Sequence, residues 1–380
     1  MYDEMKWPDD VVEMVEEVVG ENLDKLMCID TRGWGITDKL YEAARRVVGG
    51  PLTLTAAKRL MEVLEPGSPI VLNCGFPIMP WGIHAETDGV VSSAAFARAF
   101  NLAFKAKPII LSEEETIPVA KATVRAAGLH AVDDFETCQR LPHSAAVLPF
   151  TKDASKAKDE AERFLDRIKP LAAIAIERPG RNDSGYYHSG VGKDITHLVA
   201  KVDDVFAGVS DRGGVTVGIG DQGNELGLGA IRDAVRKYHA FGSRCLEEDC
   251  CGEGFTCTVE ADVSVIASVS DWGAYGVIAC LDLLHSGANL GDSVLHSGEI
   301  ERRMIRACID AGGIDGPTGN LDYRIDGVKE DYQARLIEMM RDVIDYPYKV
   351  FMTDIVGYGA RSIYQPHYEH SARLRRNSSP

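Results

Sequence analysis

The chain has 380 residues and carries 58 acidic against 41 basic side chains, a formal net charge of -17, so long-range repulsion argues against nucleic-acid or anionic-membrane partners. Hydrophobic residues make up 45% and charged residues 26%, a globular composition with length enough for one large domain or two modest ones. The apolar stretch from Val90 to Phe104 is broken by Ser93, Arg98 and Asn101, short of the roughly 20 apolar residues a membrane span needs. Met1 to Asp10 carries acids where a secretory or mitochondrial presequence needs bases. A cytoplasmic location is expected.

Residues 1–65 read as helical throughout, with Asp9 or Asp10 as N-cap for a run holding Val11, Val12, Val15, Val18 and Val19. They are expected to form an N-terminal appendage packed on a sheet. From residue 69, β-branched runs alternate with amphipathic stretches. The strands are expected at Pro69 to Asn73, Pro108 to Leu111, Ala145 to Leu148, Leu171 to Ile176, Gly214 to Ile219 and Asp262 to Ala267. The helices are expected at Ser92 to Phe104, Glu114 to Ala126, Asp153 to Ile168, Ile195 to Phe206 and Leu226 to Phe241. Strands such as Leu171-Ala-Ala-Ile-Ala-Ile176 are apolar on both faces, which a sheet covered by helices on either side requires. The pattern predicts a three-layer α/β fold, a doubly wound, mostly parallel sheet, over a catalytic domain at residues 66–345. The remainder, 346–380, reads as a C-terminal tail that is partly disordered or docks on a neighbouring subunit; homo-oligomerisation is a general expectation.

Nine cysteines, an odd number, read as reduced thiols. Cys245, Cys250, Cys251 and Cys257 lie close together, but structural zinc pairs usually sit two to four residues apart, and the adjacent Cys250 and Cys251 fit that spacing poorly. Free thiols are the favoured reading.

Ligands of open α/β sheets collect where strands end, and three such loops are polar. The first contains Cys74-Gly-Phe-Pro and then His84-Ala-Glu-Thr-Asp-Gly89; it reads either as carboxylates at the lip of a strand or as a solvated turn with Ser92 or Ser93 capping a helix. The second, Glu177-Arg-Pro-Gly-Arg181 followed by Gly185-Tyr-Tyr-His188, offers two guanidiniums suited to bidentate capture of a carboxylate, unless they pair with acids of the chain itself. The third, Gly218-Ile-Gly-Asp-Gln-Gly-Asn-Glu-Leu-Gly-Leu-Gly229, satisfies the dinucleotide fingerprint. Asp221 and Glu225 would nevertheless set negative charge beside a pyrophosphate, so no nicotinamide cofactor is expected. The glycines read instead as permitting close approach by a small ligand, with helix N-terminal amides receiving an anion, or simply as a tight turn capped by Asn224 or Glu225. A fourth element, Val259-Glu-Ala-Asp262, sets Glu260 and Asp262 on one face of a strand or at its solvent end.

In order and interval, Gly75-Phe-Pro with Glu86-Thr-Asp-Gly89, Ile176-Glu-Arg-Pro-Gly-Arg181 with Gly185-Tyr-Tyr187 and His197-Leu-Val199, Gly220-Asp-Gln-Gly-Asn-Glu-Leu-Gly-Leu-Gly229, and Val259-Glu-Ala-Asp262 with Ser270-Asp-Trp-Gly273 resemble the catalytic domain of D-glutamate cyclases. Gly313-Ile-Asp-Gly-Pro-Thr-Gly319 and Asp326-Gly327 are similar to further segments of that family, and the resemblance covers most of residues 70–330. The chain departs from the pattern at Cys74 (threonine expected), Val90 (proline), Gln222 (glycine) and Asp271 (asparagine), and its cysteine-bearing stretch is longer.

The resemblance implies a hydro-lyase that closes D-glutamate to 5-oxo-D-proline, a small acidic amino acid being the partner. Such chemistry needs a base for the α-ammonium, an acid for the departing oxygen and a stabilised tetrahedral intermediate. Asp221, Glu225, Glu86 and Asp88 are the expected acids and bases, unassigned between the two roles. Arg178, Arg181, Tyr187, Thr87, Asn224 and the amides around Gly220 and Gly223 are the expected substrate contacts. Glu86, Asp88, Asp221, Asn224 and Glu225 are hard ligands of the kind magnesium or manganese accepts. Cys74 with His84 is a weaker option as a covalent nucleophile. The rival readings are hydrolysis or racemisation of an acidic amino acid or lactam, and a non-catalytic carboxylate- or nucleotide-binding protein.

Overall fold

The computed structural model describes residues 9–78, 86–286 and 293–353, with side chains described for 13–78, 86–285 and 293–345. The first apolar β-branched run becomes β1 (Pro69–Asn73), and six further strands continue the sheet: β2 (Lys107–Ser112), β3 (His130–Val132), β4 (Ser144–Pro149), β5 (Ala172–Ile176), β6 (Val215–Gly220) and β7 (Val263–Ile266). They stand in the order β3-β4-β2-β1-β5-β6-β7, every pairing parallel. Leu72 of β1 stands beside Ile110 of β2 on one side and Ile174 of β5 on the other.

Alternate residues of a strand face opposite sides, and burial obeys that alternation. Ile70 and Leu72 of β1, with Ala172, Ile174 and Ile176 of β5, enter the larger core. Val71, Ala173 and Ala175 enter a second core on the reverse face. The first face is covered by α4 (Val90–Phe104), α5 (Ile117–Ala126), α10 (Ser270–Ser286), α11 (Gly298–Asp310) and α12 (Glu330–Thr353); the second by α6 (Phe135–Arg140), α7 (Ala154–Ile168) and α8 (Asp203–Asp211). The result is the three-layer α/β arrangement expected from strands apolar on both faces.

The N-terminal helices α1 (Asp9–Met27), α2 (Ile36–Val48) and α3 (Leu52–Met61) share the larger core through Leu23, Met27, Leu40, Leu52 and Leu60. Buried Asp24 of α1 fixes α3 by accepting from the Leu52 amide at 2.7 Å, the Thr53 amide at 3.1 Å and the Thr53 hydroxyl at 2.6 Å. It thus caps a helix whose own preceding residue, Pro51, makes no side-chain cap.

The structure adds elements that the sequence reading does not name, β3, α6, α10, α11 and α12 among them, and it shortens two expected helices. β3 has only three residues, too few to leave a periodic signal. The expected helix from Ile195 begins only at α8, because the Lys201 ammonium donates to the Thr196 and Val199 carbonyls and the Ala200 amide donates to Glu113. The expected helix from Leu226 shrinks to α9 (Arg232–Tyr238) after a short 3-10 turn: the Leu226 and Gly229 amides bond to Arg178 and Val259 across neighbouring loops, and Gly227 has φ +96°. α12 continues through residue 346 to Thr353, and residues 354–380 of the expected tail lie outside the described residues. Among the described residues, no helix is long and apolar enough to cross a membrane.

The chain starts at the centre of the sheet, builds one wing through β2, β4 and β3, then returns beside β1 to build the other through β5, β6 and β7. The strand order therefore reverses between β1 and β5, and a parallel sheet opens a crevice at the carboxyl ends of such a pair.

Candidate active site

That crevice is lined with carboxylates. Glu86 and Asp88 arrive on the loop after β1, Glu177 directly follows β5, Asp221 and Glu225 follow β6, and Asp271 opens α10 after β7. Asp326 comes from a loop later in the chain, and all seven are buried. The β1 loop is held by the Glu86 amide donating to the Phe76 carbonyl at 3.1 Å and the Thr87 amide to the Ile314 carbonyl at 2.9 Å. Asp271 Oδ1 then accepts from the Gly89 amide at 2.6 Å and from the Ser92 hydroxyl, joining the β1 and β7 loops. Glu177 sits at φ +41°, a left-handed conformation that a non-glycine residue adopts at a cost of order 1–3 kcal/mol when its surroundings enforce it. Its amide is tied to the Ile219 carbonyl and its carboxyl accepts from the Ser270 hydroxyl.

Positive charge enters from the connection between α1 and α2. The Asp30 carboxylate accepts from the amides of Arg32 (3.2 Å), Gly33 (2.8 Å) and Gly35 (2.6 Å), folding a tight turn. From this turn the Arg32 guanidinium reaches Asp221 Oδ2 and Asp326 Oδ2, both at 2.6 Å, and also donates to the Ser268 carbonyl. Trp34 stacks over it at 4.4 Å. The Arg32 side chain is 15% exposed, so this pairing is only weakly screened.

Burial raises the proton affinity of the surrounding acids. Desolvation, reinforced by neighbouring carboxylates, holds Glu86, Asp88 and Glu177 well above the ordinary carboxyl range. Asp326 is raised by the same desolvation, against which Arg32 pulls. Burial and the neighbouring Asp221 push Glu225 up to about 8, and burial pushes Asp271 up to about 7. Asp271 continues into a buried chain: Tyr275 donates to Glu301 at 2.8 Å and lies 3.2 Å from Asp271 Oδ2, while His296 Nε2 meets Glu301 at 2.8 Å.

Of the residues singled out in the sequence, Glu86, Asp88, Asp221 and Glu225 do come together. Asp88 Oδ1, Asp221 Oδ1, the Thr87 hydroxyl and Asn224 Oδ1 are buried without a hydrogen-bond partner among the described residues, which leaves polar atoms available to a ligand. The glycine-rich loop follows the second of its two readings, a tight turn closed by the Glu225 side chain, and not the ligand-anion reading. Its Asp221, Gln222 and Gly223 amides converge on the Glu225 carboxyl oxygens at 3.1, 3.0 and 2.6 Å, so the chain supplies its own acceptor where the sequence suggested a substrate oxyanion. Gly220 lies beneath that carboxyl group, where a Cβ would fall 2.6 Å from Glu225 Cδ.

Arg178, Arg181 and Tyr187 are placed elsewhere. Arg178 is fully buried against Glu113 at 2.7 Å and donates to the carbonyls of Cys74, Gly75 and Ala200. Arg181 pairs with Asp204 at 2.8 Å, and the Tyr187 hydroxyl donates to Asp203 at 2.5 Å. The two arginines meet acids of the chain itself, with Arg178 bracing the β1 loop from behind. Cys74 is buried and its thiol is pushed up to about 12 by desolvation, contrary to what a nucleophile needs; His84 lies outside the described residues. Glu260 and Asp262 are exposed, and Asp262 accepts from the Thr216 amide and hydroxyl at the start of β6.

The sequence reading does not place Arg32, Glu177, Asp271 or Asp326 among the site residues. For the three acids it holds a pointer, since each stands inside one of the family-like motifs; Arg32 has none beyond the turn-forming Asp30-Thr-Arg-Gly33. Two groups of described residues bring metal-ligating atoms within 4.8 Å of one another: Glu177, Asp221 and Glu225 in the crevice, and His188, Cys245, Cys250 and Cys251 beside it.

The D-glutamate cyclase-like, C-terminal family model matches residues 23–341, most of the chain. The mitochondrial D-glutamate cyclase of Homo sapiens is 40% identical over 190 residues, taking in 45% of this chain and 29% of that protein. The chain thus spans less than a third of the length of that relative.

Proposed function

We propose that this chain, which belongs to the D-glutamate cyclase-like family, catalyses the reversible dehydration of D-glutamate to 5-oxo-D-proline. The observation that carries the reading is one buried crevice in which Asp221 is paired with a guanidinium while Glu86, Asp88 and Glu177 hold their protons more tightly than ordinary carboxyls. A carboxyl that holds its proton, set beside another paired with a guanidinium, can serve as acid to that partner's base near neutrality.

In the forward direction the α-nitrogen bonds to the carbon of the γ-carboxyl group, and one oxygen of that carboxyl departs as water with two protons that originate on nitrogen. Asp221, whose Oδ1 is buried and unpartnered among the described residues, is positioned to take a proton from the ammonium. Glu86 and Asp88 are suited to donating O–H bonds to the substrate's γ-carboxyl and to protonating the oxygen that leaves. Holding the flexible substrate curled supplies a further large share of the acceleration, because an oriented intramolecular attack begins at a high effective concentration. Glu225, with both oxygens engaged by amides, positions Asp221 by organising the loop that carries it.

Glu177, Asp221 and Glu225 form a hard oxygen set that fits magnesium or manganese. Such an ion would polarise the reacting carboxyl and offset the repulsion among the acids.

The test is proton NMR of the purified protein with D-glutamate, L-glutamate and 5-oxo-D-proline in turn, with and without magnesium or manganese, beside an Asp221→Asn variant. Interconversion confined to the D-series and lost in the variant is the expected result. Absence of turnover with every metal would refute the reading.

A further inference from the structure

We propose that His188, Cys245, Cys250 and Cys251 bind a structural zinc ion that staples two irregular loops over the carboxylate crevice. His188 Nε2 lies 3.3 Å from Cys250 Sγ, 3.5 Å from Cys245 Sγ and 3.8 Å from Cys251 Sγ, and the Cys245 and Cys251 sulfurs are 3.5 Å apart. A tetrahedral zinc with ordinary bond lengths separates its ligands by about 3.8 Å for two sulfurs and about 3.6 Å for sulfur and nitrogen. These four separations come close to those of tetrahedral ligands, and all four donor atoms lie within 4.8 Å of one another. All three cysteines are free thiols, and three sulfurs with one imidazole form a soft donor set that selects zinc over the hard cations suited to the crevice.

The surroundings support the ligands. The His188 residue is 1% exposed, and its Nδ1 has no partner among the described residues, so the ring is engaged through Nε2 alone. Asn182 Nδ2 donates to Cys251 Sγ at 3.2 Å and to the Gly254 carbonyl at 2.7 Å, while its Oδ1 accepts from the Ser184 and Tyr186 amides. Amides of Gly252 and Gly254, both at positive φ, face Cys245 Sγ. Such donors to sulfur are the outer contacts that stabilise coordinated thiolates.

The fold also calls for a staple here. From His239 to Asp262 the chain has no helix or strand, an uncommon length of irregular chain inside a compact domain. Sequence spacing argues against zinc because one ligand lies on a different loop, and only folding brings His188 to the cysteines. The clamp abuts the crevice: the His188 carbonyl accepts from Asn224 Nδ2 at 3.1 Å, and the Cys257 amide donates to the Gly223 carbonyl at 3.2 Å. Zinc would thereby stiffen the loop that carries Asp221 and Glu225 without touching substrate.

The test needs no substrate, so its outcome is independent of the proposed reaction. The full chain is expressed with zinc, purified without chelator, and its metal content measured by mass spectrometry; one zinc per chain is expected. A Cys245→Ser/Cys251→Ser variant should lose it. Because that variant could fail to fold, the unaltered protein is also stripped and reloaded with cobalt, which should give the thiolate charge-transfer and strong visible bands of a tetrahedral sulfur-rich site. Removal of zinc should lower the melting temperature reversibly. A chain purified without zinc that gives no cobalt–thiolate band, or one whose intact mass shows two of these cysteines joined as a disulfide, would overturn the proposal.

Discussion

Replacing Arg32 with methionine removes the cation shared by Asp221 and Asp326 while keeping most of the side-chain volume. Each partner lies 2.6 Å away and is at most 8% exposed, so both would stand as uncompensated buried acids among five others. Removing one partner of a buried pair typically costs about 3–5 kcal/mol. A charge pair at roughly 4 Å with an effective dielectric near 20 gives about 4 kcal/mol, of the same order. Proton uptake offers the bereft acids an escape, and it becomes harder as pH rises. The loss should therefore approach the full range at pH 8.5 and fall well short of it at pH 5.5. Urea unfolding of both proteins at the two pH values measures it, with midpoints compared at equal slope. A loss below about 1 kcal/mol, or one equal at both pH values, would refute the assignment of Arg32 as the counter-charge of the crevice.

Asp271, held up to about 7 by burial, keeps a proton in the folded chain that the unfolded chain has released above its ordinary range near 4. Stability from this group is thus present at low pH and declines through the window from about 4 to 7, at up to about 1.4 kcal/mol per pH unit. Asp271→Asn keeps an acceptor for the Gly89 amide and removes the titration, so its melting temperature should fall less than the parent's between pH 5 and 8; parallel curves would contradict this. Gly316→Ala would place a Cβ 1.8 Å from Glu86 Oε2 and push that carboxyl out of register. Misplacement on this scale costs on the order of 100-fold in rate, so the proposed turnover of D-glutamate should drop by about that factor with circular dichroism unchanged. Full activity in this variant would remove Glu86 from the mechanism.

The architecture is legible because its signal is local: a run such as Ala172-Ala-Ile-Ala-Ile176 is apolar at every position, and only a two-sided sheet accommodates that. The site is half legible for the same reason. Glu86, Asp88, Asp221 and Glu225 stand in the loops where strands end, and strand order then brings those loops together. What the chain conceals is pairing at a distance. Arg178 looks like a ligand clamp because nothing local to it announces Glu113, and Arg32 looks incidental because its partners lie 189 and 294 residues downstream. The thiol cluster misleads in the same way, its imidazole being 57 residues removed from the first cysteine. The helices expected at Ile195 and Leu226 fail because tertiary hydrogen bonds claim backbone groups that an isolated segment would have bonded to itself.

The glycine-rich loop that wraps its own carboxyl group has a thermodynamic consequence. Loops of this composition are ordinarily mobile until an incoming phosphate gathers their amides, and the ligand then bears the entropy of ordering them. With Glu225 in that role the three amides are gathered when the domain folds, and the ordering is charged to folding stability. A ligand as small as an amino acid has few contacts with which to offset such a loss. On the proposed function the amino acid would meet a loop whose amides are already engaged, leaving its binding free energy for curling its own chain.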